Sequence, residues 1–401
     1  MNRREFLTTT GAIAATSLLP SRNFADEIPA DIRITRIVGF EVTSRRPKLV
    51  GKNSRLDVHG DSATDTMVRI YTNTGLEGIG NCRRPRRELA PILGKRLVDL
   101  YDPMTHSVPN LGNGTMPVWD LLGKAQGKPV YELLGGAGPE RVPVYDGSIY
   151  FADLLPENAA NPLDRFKEEI DMGLKLGHRA FKTKIGRGAK WMEAKEGYQR
   201  DIDVLRTIRK HAGPEILVGV DANNGYDLAG AQRLLDDLAD FNFAFVEEMF
   251  EETVDDCLTL KRFIHERGWK TLLADGETQG DLDVFKPFIE AKAIDVLQGD
   301  MNHFGFEGIL TEAAWARPAG IQVAPHNWGS LVGFYMQLHV GRAIENLYMA
   351  EHDPCSNDVL VAEGYEIKDG TCSVPEVPGF GLKINEQQFR NKANIRFDIS
   401  M

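Results

Sequence analysis

Residues 181–186 read FKTKIG, an apolar run carrying Lys182 and Lys184 two positions apart. Six later stretches repeat its format, a short apolar run closed by an ionisable residue. They are VGVDAN at 218–223 (Asp221), FVEE at 245–248 (Glu247), LLADGE at 272–277 (Glu277), VLQGD at 296–300 (Asp300), VAPHN at 323–327 (His326) and LYMAEHD at 347–353 (Glu351). From Asp221 onward the closing residues recur at about 25–30 positions, the length of one strand-plus-helix unit of a (β/α) barrel. In such a barrel the C-terminal ends of the strands converge on one mouth. Residues scattered from Lys182 to Glu351 would then line one pocket. Three of them are carboxylates, which suits a hard divalent cation. The lysine pair and a His–Asp pair suit proton transfer.

The rest of the chain fits this frame. From Val142 onward eight short β-branched runs (VPVYDGSIY, AFKTKIG, ILVGVDA, FAFVEE, TLLADG, AIDVLQG, GIQVAPH, LYMAE) alternate with amphipathic segments at 163–176, 195–212, 228–239, 253–267, 282–291 and 306–318. That alternation predicts a closed parallel barrel. An open doubly wound sheet would place a glycine-rich phosphate loop after its first strand, and the sequence has none there. Ahead of the barrel, residues 32–43 and 66–79 read as strands, the second a hairpin turning near Asn73-Thr74-Gly75. Ser44 to Asp65 reads as a long polar loop, and 86–136 as mostly helical. The turn-rich tail from 360 is expected to pack back on the N-terminal domain.

Composition narrows the function classes. The chain has 401 residues, 42% hydrophobic and 26% charged, enough for a large core and two domains. A net charge of −11 argues against a nucleic-acid partner. The four cysteines, Cys82, Cys257, Cys355 and Cys372, are widely spaced without a C-x-x-C or zinc pattern and read as buried thiols. At the N-terminus Asn2-Arg3-Arg4-Glu5-Phe6-Leu7 resembles a twin-arginine export motif, followed by an apolar run from Phe6 to Leu19 that is too short to span a bilayer. We expect a signal peptide over 1–25, export to the periplasm, and no membrane association once it is removed.

The candidate site divides by chemistry. Asp221, Glu247 and Glu277 each close a strand, and together they would repel strongly without a cation; oxygen ligands favour Mg²⁺ over zinc or copper. Either member of the Glu247–Glu248 pair could be the ligand. Asp275 is expected to point away from Glu277. Lys182 and Lys184 share one face of a strand, so each disfavours the other's protonation, and one could be a neutral base while the other holds an anion. Asp300 would fix the tautomer of His326 and raise its basicity. Glu351 could bond a substrate oxygen, and Asn223, two beyond Asp221, a substrate hydroxyl. His303 is near the mouth without an assigned role. Strand-end acids often serve as helix caps and strand lysines are often solvated; the shared register of all these residues favours a site.

Taken together these residues resemble the enolase superfamily in its mandelate racemase-like branch (the mandelate racemase/muconate lactonizing enzyme family), over nearly all of the chain after residue 30. The Lys-x-Lys of FKTKIG, the Asp of VDANNGY, the Glu of VEE and the Glu of ADGE are similar to that branch's catalytic lysines and metal ligands in order. Asp300 and His326 resemble its dyad, and Glu351 its final glutamate. WDLLGKAQGKPVYELLGG resembles the end of its capping domain, and PGFGL its C-terminal turn. The resemblance implies an α/β fold: an α+β N-terminal capping domain at 26–138, a modified TIM barrel, (β/α)7β, at 139–355, and a C-terminal segment at 356–401. It also implies Mg²⁺-assisted removal of the proton α to a carboxylate, with Lys182 stabilising the enediolate and Lys184 and His326 handling protons on opposite faces. Two departures stand out. Met249 follows the glutamate pair where proline is common, which would alter the loop there. Gly305-Phe306 replaces a Gly-Gly pair, which would narrow the pocket.

The leading expectation is dehydration of a sugar acid. A racemase, epimerase or cycloisomerase of a 2-hydroxy acid or lactone shares the same first half-reaction. A non-catalytic carbohydrate-binding protein on the same scaffold is the remote alternative, set back by retention of every acid, both lysines and the dyad. The partner is expected to be a small-molecule carboxylate, and the relatives suggest a homo-oligomer. Substrate choice is expected in the loop Ser44–Asp65 with Arg45, Arg46, Lys48, Lys52, Arg55 and His59.

Overall fold

The computed structural model describes residues 28–102, 105, 107–109 and 111–401; the expected signal peptide lies outside them. Among the described residues no helix is long and apolar enough to cross a membrane.

The N-terminal part is an antiparallel sheet of β1 (Ile34–Val50), β2 (Gly60–Thr72) and β3 (Glu77–Asn81). A last strand, Asn394–Ser400, pairs with the outer edge of β1. Helix Met116–Gln126 lies across β3 so closely that a Cβ on Gly78 would stand 2.1 Å from the Pro117 carbonyl oxygen. Two expectations fail here. Residues 44–50 and 60–65 are strand rather than loop, paired Ser44↔Ala63 and Arg45↔Ser62, leaving only 51–59 as the connection. Burial alternates along this stretch as in any strand, but its inward positions are the polar Ser44, Arg46 and Lys48. Arg46 is satisfied by Asp353 (2.7 and 2.6 Å) and Lys48 by Glu169 (2.6 Å), so polar residues take core positions. Residues 86–136 are less helical than expected. The α-helical parts are Arg86–Leu89, Met116–Gln126 and Val130–Leu133. Between the first two, helix among the described residues is limited to 3-10 turns at Ala90–Ile92, Leu97–Leu100 and Gly112–Gly114, and Pro91, Gly94, Pro109 and Gly112 interrupt the pattern.

The barrel strands are β4 (Arg141–Ile149), β5 (Ala180–Lys184), β6 (Leu217–Asp221), β7 (Phe245–Glu247), β8 (Leu272–Asp275), β9 (Val296–Leu297), β10 (Gln322–Val323) and β11 (Ala350–His352). Neighbours pair in parallel from β4 through β10, and β11 pairs with β4. One bridge, Val323↔Leu347, closes the seam between β10 and β11. Seven helices connect the eight strands, the number that (β/α)7β implies; the last, Leu331–Ala343, is apolar around most of its surface and so lacks the amphipathic pattern that marks the other six. The architecture is the expected (β/α)7β barrel with a cap. The C-terminal segment differs in part. Its last strand joins the cap sheet, but Thr371–Ser373 pairs with β4, so it ties cap to barrel.

Register places the site. Lys184 pairs with Asp221, and Asp221 with Glu247, so these three lie on one row at the C-terminal ends. Below them Tyr145, Ala180, Phe245, Ala274, Val296, Ala324 and Met349 form a small apolar cluster that plugs the barrel.

Candidate active site

Asp221, Glu247 and Glu277 bring one carboxylate oxygen each to within 4.8 Å of one another, and among the described residues they form the one such group of metal-binding side chains. Of the glutamate pair it is Glu247 that joins them. Glu248 is buried beside it in a left-handed conformation (φ 41°). Burial and then the Glu277 and Asp221 charges push its carboxyl up to about 8. Asp275 stays out of the cluster; burial and then Glu252 and Glu248 raise its carboxyl.

The lysines reach these acids from one side. Lys182 Nζ lies 2.7 Å from Glu247 Oε1, 2.9 Å from Glu351 Oε1 and 3.4 Å from Asp221 Oδ2. Lys184 Nζ bonds Asp221 Oδ2. Burial opposes both charges, but Glu247 and Glu351 around Lys182, and Asp221 and Tyr150 around Lys184, outweigh it and raise both lysines. Each lysine has its own counter-ion, Glu247 and Glu351 for Lys182 and Asp221 for Lys184. Asp221 is correspondingly lowered, its burial overcome by Lys184 and Lys182.

His326 faces the cluster from the other side. Its Nδ1 is 2.6 Å from Asp300 Oδ2, as expected, and its Nε2 is 3.0 Å from Glu277 Oε2. Burial works against the imidazolium, but Glu277 and then Asp300 move it up to about 10. Glu351 Oε2 accepts from the Asn327 N–H (2.8 Å) and stands 4.0 Å from His326 Nε2. A Cβ on Gly147 would come within 2.3 Å of Glu351 Oε1, so only glycine admits that carboxylate.

Other expected residues fall differently. The Asn223 side-chain nitrogen donates to Glu248 Oε2 (3.0 Å) and Glu277 Oε1 (2.9 Å), which sets it among the metal-binding acids with only its oxygen free. His303 is exposed and its ring bonds the Gly280 carbonyl at 3.0 Å, fastening the loop after Glu277 to the helix after Asp300. The cap cations are mostly engaged elsewhere. Arg46 and Lys48 are in buried pairs, Arg45 meets Asp61, and Lys52 lies over Trp191 beside Asp57. His59 packs at the mouth, its ring 4.6 Å from Tyr150 and 5.7 Å from Trp328, while Tyr150 lies 5.2 Å from Lys184 Nζ. Phe306 does not narrow the pocket; it is buried between Trp119 and Phe380 at the cap. Sequence reasoning missed Gln298, whose Nε2 holds Glu247 Oε2 at 2.6 Å. The signal was present, since Gln298 lies two before Asp300 in VLQGD and shares its face.

The donor set fits a hard dication. All three ligand groups are carboxylates, and buried acceptors are left over: Glu277 Oε2, near His326 but without hydrogen-bond geometry, together with Asn223 Oδ1, Glu248 Oε1 and Gln298 Oε1. Buried acceptors left over around a carboxylate cluster call for a positive partner. Comparison with known proteins agrees. A family model described as Enolase C-terminal domain-like matches residues 165–388. This chain belongs to that family of the enolase superfamily. It is similar to a galacturonate dehydratase from a Geobacillus species, solved with Mg (TM-score 0.84, 33% identity, 91% of this chain and 96% of that one) and with D-galacturonate and 5-keto-4-deoxy-D-galacturonate. Among curated proteins it is 28% identical to an arabinonate dehydratase from Saccharolobus solfataricus, over 68% of this chain and 69% of the relative. It is 27% identical to a D-galactarolactone cycloisomerase from Agrobacterium fabrum, over 86% and 97%. As a member of the superfamily it is an enzyme, a lyase or an isomerase, and its metal is Mg²⁺.

Proposed function

We propose that this enzyme dehydrates a sugar acid, with Asp221, Glu247 and Glu277 holding Mg²⁺. The observation that carries the reading is the placement of Lys184 at the Asp221 end of the carboxylate cluster and of the His326–Asp300 dyad at its Glu277 end. A bound cation supplies positive charge for the substrate carboxylate, which makes the α-proton acidic. With Asp221 serving as a metal ligand, Lys184 would be left without its counter-ion, and a buried lysine without one gives up its proton. Lys184 then takes the α-proton, and the electron pair moves into the carboxylate as an enediolate. The buried Lys182 ammonium offsets that negative charge. Collapse of the enediolate expels the β-hydroxyl, which leaves as water with a proton from His326. The resulting enol becomes a deoxy keto acid. Glu351, fixed by Lys182 and Asn327, orients a substrate oxygen, and Asn223 holds Glu277 in place.

Likeness to the galacturonate dehydratase over nine-tenths of the chain supports a uronic or aldonic acid as substrate. A library of such acids, D-galacturonate first, incubated with Mg²⁺ in D₂O and followed by NMR tests the reading. Water loss to a keto acid is the expected result. A second reading, isomerase, is favoured by the cycloisomerase relative that this chain matches over nearly all of the relative's length; α-deuteration or ring opening without water loss would establish it and sink the first. We also propose that residues 1–25 direct export by the twin-arginine route. Changing Arg3 and Arg4 to lysine and following the protein between cytoplasmic and periplasmic fractions tests that; an unchanged distribution sinks it.

A further inference from the structure

The barrel has one weak seam, and Glu351 stands on it. Strand β10 meets this side only through one bridge, Val323↔Leu347, to the residues just before β11 and below the level of the site. In a parallel ladder the N–H and C=O of one residue point to the same side, and those of its neighbours to the other. The Glu351 N–H and C=O face away from β4, on the side where no bridge to β10 reaches them. Buried peptide groups are rarely left unpaired. Gln337, buried in the middle of helix Leu331–Ala343, meets both: its Nε2 donates to the Glu351 carbonyl (3.0 Å) and its Oε1 accepts from the Glu351 N–H (2.8 Å). A primary amide offers one donor and one acceptor side by side and so takes the place of the missing strand. The carboxylate carried on that backbone lies 2.9 Å from Lys182 and 4.0 Å from His326.

We infer that Gln337 is a positioning residue for the reaction: it completes the open seam of the barrel and sets the height at which Glu351 meets Lys182, His326 and the substrate. The inference rests on the site reading above. Helix Leu331–Ala343 buries one other polar side chain, His339, which faces Tyr131 and Tyr365 instead; Phe334, Met336, Leu338 and Val340 are buried beside Gln337, so general packing there would be served by leucine or methionine.

Two variants test it in the full-length Mg²⁺ enzyme. Gln337→Met keeps the length and removes both bonds. The expected result is kcat lowered about tenfold or more with KM within about threefold and Mg²⁺ affinity unchanged. Wild-type kcat overturns the inference. So does a parallel fall of kcat, Mg²⁺ affinity and melting temperature, which is general loosening. Gln337→Glu restores both bonds only while the introduced carboxyl is protonated, because the ionised form has no donor for the Glu351 carbonyl. Activity is expected near wild type at acid pH and to fall as pH rises through an ionisation that the wild type lacks. A profile that superimposes on the wild type's overturns the inference. Amide hydrogen exchange of the peptide containing Glu351 separates this from the reading of the site. If no sugar acid is turned over by the wild type, that reading fails, yet faster exchange confined to this peptide in Gln337→Met still supports the clamp, and unchanged exchange sinks it.

Discussion

Glu247 is held at both oxygens, by Lys182 on one and Gln298 on the other, and both carboxylates flanking it are partnered by a proton carrier. This asymmetry separates the roles of the two proton carriers. Replacing Lys184 by methionine should abolish both α-deuteration and water loss. Replacing His326 by asparagine should lose about 10²–10⁴ in dehydration while leaving α-deuteration measurable by NMR. If the asparagine variant stops deuteration and the methionine variant does not, the base is the histidine and the assignment reverses. A second residue-scale consequence concerns stability. His339 is wholly buried between the Tyr131 N–H (3.3 Å) and the Tyr365 hydroxyl (2.8 Å), and burial lowers its imidazole to about 3. The unfolded chain binds a proton near pH 6.5 that the folded chain refuses until about pH 3. Stability is therefore full above about 6.5 and declines as pH falls toward 3, by several kcal/mol at the acid end. His339→Gln should flatten the slope of denaturation free energy against pH in that window. An unchanged slope would show that other groups set it.

At the scale of elements, the strand ends were legible because each active residue closes a short apolar run and the runs recur at the barrel period. The cap hairpin was not. Its inward positions carry Ser44, Arg46 and Lys48, so the apolar–polar alternation that marks a strand is absent, and only their distant partners Asp353 and Glu169 make those positions tolerable. Gln337 was equally invisible, since nothing local distinguishes a glutamine that serves a strand from one that faces water. The Arg46–Asp353 pair also fastens β1 to the end of β11, with Asp353 further accepting from the Gly329 N–H at 3.1 Å and Arg46 stacked 4.5 Å over Trp328. Breaking such a buried pair at one partner leaves an uncompensated charge. Arg46→Met should cost about 3–5 kcal/mol in chemical denaturation. Arg46→Met with Asp353→Leu should recover part of it. A single variant within 1 kcal/mol of wild type, an amount typical of surface pairs at about 0–1 kcal/mol, would mean that the pair is not a clamp.

For the whole molecule, the site concentrates charge that the fold alone does not balance. Asp221, Glu247, Glu277, Asp300 and Glu351, with Glu248 beside them, face Lys182, Lys184 and His326, an excess of acids over cations that a divalent ion offsets. Without the ion the strain falls on Glu247. Burial first, eased by Lys182 but aggravated by Asp221, Glu277 and Glu351, raises its carboxyl well above the usual range. An acid whose folded value is raised costs the folded state stability once pH exceeds the unfolded value, because the unfolded chain ionises freely and the folded chain does not. Glu247→Gln removes that cost and keeps an acceptor for Lys182. In metal-free buffer at neutral pH the variant should melt above the wild type by a few degrees. Adding Mg²⁺ should invert the order, since an ion present at about 100 times its Kd stabilises the wild type by about 2.7 kcal/mol and the variant has lost a ligand. Differential scanning calorimetry with and without Mg²⁺ reads both halves. A variant that gains as much from Mg²⁺ as the wild type does would remove Glu247 from the ligand set, and one that melts lower without the ion would show that its carboxylate is well compensated in the empty fold.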